Sequence, residues 1–221
     1  MKNVLVVAPH PDDEILGCGG TMLRHVHDGD RVYVCIVTHA EPPIYPKDAS
    51  LPIQKDARRC HQWMGVEDTF FLDFPAVMLE KVDRYKINNA LLDLIMKIKP
   101  DVVYLPHYGD MQKDHQVVAE SCMVVLRPKY INYPIKIYGY ETLSETAWNS
   151  PTIQNEFMPN VFVNISDYLE GKIDALKFFQ SQLAEFPSAR SLKAIEALAR
   201  YRGALMHVGA AEAFMLLREV R

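Results

Sequence analysis

The chain has 221 residues, of which 49% are apolar and 24% charged, with a formal net charge of -4. That balance fits one globular domain spanning 1–221 and excludes a disordered or fibrous chain. It lacks the basic excess of a nucleic-acid-binding surface, so DNA and RNA are not expected as partners.

The first apolar run, Val4–Ala8, is too short for a signal-peptide core or a membrane span, and no later run reaches that length. The expectation is a cytoplasmic protein without a membrane partner. As structure, Val4–Ala8 reads as a strand covered on both faces, because it is continuously apolar. A helix follows from soon after Glu14 to Asp28-Gly29, then a strand at Val32–Thr38. Ala40–Pro52 carries four prolines and reads as an irregular loop, a candidate substrate lid. Further on come a helix at Ile53–Met64, a strand at Thr69–Leu72, a helix at Lys81–Lys99 ended by Pro100, and a strand at Val102–Leu105. A helix starts near His115 and stops before Pro128; Lys136–Tyr140 and Val161–Ile165 read as further strands. Beyond them the chain reads as mainly helical, with Ser166 capping a helix to about Gln182 and two more helices after Pro187. The alternation predicts an α/β fold: a Rossmann-like three-layer sandwich with a mostly parallel sheet and helices on both faces. Cys18, Cys35, Cys60 and Cys122 form no Cys-x-x-Cys pair and read as reduced apolar filler.

Two loops carry the densest His and Asp clusters. Pro9–Asp13 follows the first strand and Pro106–Asp114 follows the fourth; in open α/β sheets, ligands bind beyond the carboxyl ends of strands. In His10-Pro11-Asp12-Asp13-Glu14, three acids lie beside a histidine directly after a buried strand. Such a group is costly unless neutralised, and a divalent cation would neutralise it. An acid-rich helix start is favoured by the macrodipole, but that reading gives His10 no role. His115 can complete a facial His, Asp, His set with His10 and Asp13. The set suits catalytic zinc with an open position for water, and equally suits non-haem iron or another divalent ion.

The run Val6-Val7-Ala8-Pro9-His10-Pro11-Asp12-Asp13-Glu14, then Gly17-Cys18-Gly19-Gly20-Thr21, resembles the signature of the PIG-L/LmbE-like N-deacetylases. The resemblance continues through Asp114-His115, Glu141, Phe157-Met158-Pro159-Asn160, Arg190-Ser191, Arg202-Gly203 and Ala211-Glu212-Ala213-Phe214. These are zinc enzymes that remove an acetyl group from an N-acetylglucosamine-type sugar. The resemblance implies His10, Asp13 and His115 as zinc ligands and Asp12 as general base. It also implies a small-molecule sugar substrate and a homo-oligomer.

One departure stands out. Many members carry a histidine three residues before the last zinc ligand, and here that position is Gln112. Glutamine donates a hydrogen bond but does not titrate. The proton for the leaving amine is therefore expected from His107 or from Asp12 recycling its own. Asp114 is counted with the catalytic groups. Gln112, Glu141 and Arg190 are candidate substrate contacts, and Glu14 is expected to support the helix start. Arg190, Arg202 and Glu212 read either as substrate contacts or as ion pairs fixing the C-terminal elements. The glycines at 17, 19 and 20 do not have dinucleotide-fingerprint spacing. Two competing readings are a non-haem metal enzyme of another class and a metal-binding protein that has lost catalysis.

Overall fold

The computed structural model describes residues 1–129, 134 and 136–221. Seven strands form one sheet in the order β3-β2-β1-β4-β5-β7-β6. β1 (Asn3–Ala8), β2 (Arg31–His39), β3 (Asp68–Pro75), β4 (Val102–Pro106) and β5 (Lys136–Tyr140) are parallel neighbours; β7 (Ala211–Glu219) runs antiparallel between β5 and β6 (Val161–Asn164). The helices are α1 (Asp13–His27), α2 (Ser50–Met64), α3 (Arg84–Ile98), α4 (Lys113–Val125), α5 (Leu169–Leu176) and α6 (Leu192–Leu205).

The period-two alternation of β1 divides the core. Val4, Val6 and Ala8 pack with α1, α2, α5 and α6 through residues such as Ile15, Cys60, Ala175 and Ile195. Leu5 and Val7 pack with α3 and α4 through Ile87, Leu91, Val117 and Cys122. A strand buried on both faces must be apolar at every position, which is why this segment is legible as a parallel strand. Gly17 belongs to this packing: a Cβ there would sit 2.3 Å from the ring of Tyr140. Tyr140 is buried and donates its hydroxyl to the Val7 carbonyl at 3.0 Å, so it faces the core. All four cysteines are free and buried, and burial pushes their thiols upward, as expected of filler.

The C-terminal part differs from the sequence expectation. One α-helix follows Pro187, and Ala211–Glu219 is a strand. Alanine, glutamate, methionine and leucine dominate that segment and favour helix locally; pairing with β5 and β6 overrides them. The helix expected from Ser166 to Gln182 is broken into a 3-10 turn at Ser166–Tyr168, α5, and a second 3-10 stretch at Lys177–Gln182. Ser166 accepts the Ala210 amide instead of capping. The proline-rich loop ends at Ala49, because Pro52 sits in the first turn of α2, where its missing N–H costs nothing. Among the described residues no helix is long and apolar enough to cross a membrane.

Candidate metal centre

β1 and β4 are adjacent and parallel, so the loops after them meet at one edge of the sheet. There the Nδ1 of His10 lies 3.1 Å from Asp13 Oδ2, and the Nε2 of His115 lies 3.2 Å from the same oxygen. One ligand atom from each of the three residues falls within 4.8 Å of the others. Asp13 is fully buried, and its second oxygen, Oδ1, has no hydrogen-bond partner. Two imidazoles converging on a buried carboxylate with an orphaned oxygen fit a divalent cation, which would satisfy all three groups at once. Two nitrogens and one oxygen suit zinc and iron alike.

Each imidazole is held from behind by a carboxylate. Asp114 Oδ2 lies 3.0 Å from His10 Nε2, and Asp110 Oδ2 lies 2.8 Å from His115 Nδ1. These contacts fix the ring orientations and leave His10 Nδ1 and His115 Nε2 facing Asp13. Asp114 also accepts the backbone amides of Val77 at 2.6 Å and Leu79 at 3.2 Å. The residue expected among the catalytic groups therefore acts as a brace for His10 and the loop after β3. Asp110 has its own support, the Thr146 hydroxyl at 2.6 Å from Oδ1. Asp110 lies within the second cluster, but its role was not legible, since it depends on how the 107–112 loop folds back over α4.

The electrostatics follow from this packing. Burial disfavours charge on His115, but Asp13 and Asp110 outweigh it and raise its pKa to about 10. His10 is raised as well: burial opposes its charge, while Asp114 and Asp13 favour it. Burial works against the Asp13 carboxylate, yet His115 and His10 hold it well below the usual carboxylate range. Asp12 moves the other way, raised well above that range by burial and the charge of Asp13, with Arg190 opposing.

Asp12 is buried beside Asp13 and ion-pairs with the Nη1 of Arg190. Its backbone has φ 107° and ψ -24°, which costs a non-glycine residue about 1–3 kcal/mol. Arg190 reaches it from the segment before α6 and also donates from Nε to Ser144 Oγ at 3.0 Å. The structure thus brings Arg190 to the centre.

Most of the other expected residues have partners of their own. His107 turns its Nε2 to the Asn155 carbonyl at 3.0 Å and packs edge-on against Phe157. No hydrogen bond or ion pair among the described residues joins it to His10, Asp12, Asp13 or His115. Gln112 precedes α4, and its Oε1 is buried without a partner. Glu141 gives both oxygens to Arg202, at 2.9 and 2.7 Å. Glu212 pairs with the buried Lys172 at 2.6 Å and accepts the amides of Gly20 and Thr21. Arg202 and Glu212 are therefore engaged in internal ion pairs.

Residues 5–126 match the PIG-L family model, described as GlcNAc-PI de-N-acetylase. The chain is 31% identical over 186 residues to the uncharacterized deacetylase YaiS of Escherichia coli, covering 81% of this chain and 91% of that one. It is 26% identical over 197 residues to the diacetylchitobiose deacetylase of Thermococcus kodakarensis, covering 84% and 72%. Among solved structures, the conserved protein TT1542 from Thermus thermophilus superposes with a TM-score of 0.80 at 25% identity, covering 100% of this chain and 97% of that one. The family match runs from β1 to α4, the stretch that carries both halves of the metal centre, and the chain belongs to the PIG-L family.

Proposed function

We propose that the protein is a metal-dependent amidohydrolase that removes the acetyl group from an N-acetylglucosamine-type sugar, free or as a nucleotide sugar or glycoconjugate, with zinc as its ion. The observation that carries this reading is the Asp13 carboxylate: buried, approached by two braced imidazoles, with one oxygen unpartnered. Relatives that carry deacetylase names, among them enzymes for diacetylchitobiose and N-acetyl-glucosaminyl malate, support the reaction class.

His10, Asp13 and His115 would hold a divalent ion, which would supply the charge that polarises an amide carbonyl and acidifies a water. Asp12 stands next to this set and takes a proton from the attacking water as it adds to the acetyl carbon. Arg190 favours the anionic form of Asp12 through their ion pair, against burial and the charge of Asp13, which raise its pKa. A carbon–oxygen bond forms, the carbon–nitrogen bond breaks, and the proton on Asp12 passes to the departing amine, giving acetate and a free amino sugar. Recycling by Asp12 is favoured over His107, whose Nε2 already serves Asn155. Gln112, which directly precedes α4 and stands three residues before His115, is proposed to donate its amide N–H to the developing oxyanion.

The test is acetate release across a panel of N-acetyl sugars and nucleotide sugars, with wild-type protein and Asp12→Ala. Turnover of at least one N-acetylglucosamine compound is expected, with a fall of about 100- to 10,000-fold in the variant. A protein that binds metal but releases no acetate from any of them would instead be a binding protein.

A further inference from the structure

We propose that Glu14, backed by His61, is a positioning residue that pins the backbone of Asp12 and so aims its carboxylate. The inference rests on the proposed function, in which Asp12 is the base. The left-handed backbone of Asp12 needs something to hold it, and the hold is visible. The Asp12 amide donates to Glu14 Oε2 at 3.1 Å. The other oxygen of Glu14 lies 3.0 Å from His61 Nε2, and His61 Nδ1 lies 2.9 Å from the Thr69 hydroxyl. Glu14 is 0%, His61 1% and Asp12 3% exposed, so water does not compete for these bonds.

The chain Asp12–Glu14–His61–Thr69 ties the turn after β1 to α2 and to β3. A first-turn glutamate that takes the amide of the residue before the helix is acting as a cap; what sets Glu14 apart is that its other oxygen is held by a histidine from another helix and that the amide it takes belongs to a residue at positive φ. Both oxygens of Glu14 have specific partners, and one of them sets the conformation of the residue that also meets Arg190. A shift of about 1 Å in a reacting group can cost on the order of 100-fold in rate, so a backbone clamp on Asp12 has kinetic consequences that a helix cap lacks.

The experiment combines crystal structures with a double-mutant cycle. In Glu14→Ala, the Asp12 backbone is expected to leave the positive-φ region and its carboxylate to leave Arg190, while the metal content stays that of wild type. Turnover should fall on the order of 100-fold with little change in KM. Glu14→Gln, whose side-chain oxygen still accepts the amide, should recover most of the rate. In an Asp12→Ala background, Glu14→Ala should change nothing further, because the group it positions is gone. If Glu14→Ala does not fold, the paired change Glu14→Leu with His61→Leu fills the site with apolar volume and is read the same way. An Asp12 that keeps its positive φ and its contact with Arg190 in Glu14→Ala or in the paired leucine variant overturns the proposal, as does an equal rate loss with and without Asp12. Since the conformation of Asp12 is read without substrate, a protein that deacetylates nothing defeats the functional reading and leaves this inference to be decided by the crystal structure.

Discussion

Asp110 Oδ2 lies 2.8 Å from His115 Nδ1, and both residues are almost completely buried. That contact decides which nitrogen of His115 faces Asp13. Removing it frees the ring to rotate and lowers the basicity of the ligating nitrogen. Asp110→Ala is therefore expected to weaken divalent-metal affinity by about 10- to 100-fold, the usual effect of losing such a partner. Competition with a chromophoric chelator measures it; unchanged affinity would mean that Asp110 serves only the loop.

Arg190 joins two groups at once, Asp12 through Nη1 and Ser144 through Nε. A lysine ammonium is a single point and cannot reproduce this two-sided hold. Arg190→Lys should retain metal yet lower kcat by roughly 10-fold or more through a misplaced base. Metal content and steady-state kinetics, measured on the same preparation, separate this effect from loss of the site.

The pair Lys172 and Glu212 makes a stability prediction. Lys172 donates 2.7 Å to the Leu16 carbonyl and 2.6 Å to Glu212, and Glu212 takes the amides of Gly20 and Thr21. Side chains thus meet the backbone of α1 in mid-helix and join it to α5 and β7. Breaking a buried pair leaves an uncompensated charge, so Lys172→Met should cost about 3–5 kcal/mol. Denaturant unfolding would show it as a lower midpoint with an unchanged slope.

These contacts also mark where the sequence stops being readable. The parallel strands were legible because burial on both faces forces continuous apolar runs such as Val4–Ala8. The three ligand candidates were legible because a histidine packed among clustered acids behind a buried strand calls for a cation, and adjacent parallel strands bring their loops together. β7 was not, because local propensity in Ala211–Glu219 points to helix and only its neighbours make it a strand. The brace from Asp114 to His10 spans 104 residues and the clamp from His61 to Glu14 spans 47. No local spacing encodes such contacts. His61 has the least sequence signal of all, a lone histidine near the end of an amphipathic helix.

Everything proposed for the reaction depends on His10, Asp13 and His115 holding one divalent ion that hydrolysis requires. Elemental analysis of purified protein, paired with acetate release before chelation, after chelation and after stoichiometric zinc, tests it most directly. The expected result is about one ion per chain in wild type, near-complete loss of both metal and activity in Asp13→Ala, and recovery of the chelated wild type on adding zinc. Full acetate release from metal-stripped protein, or an Asp13→Ala variant that keeps its ion and its activity, would refute it.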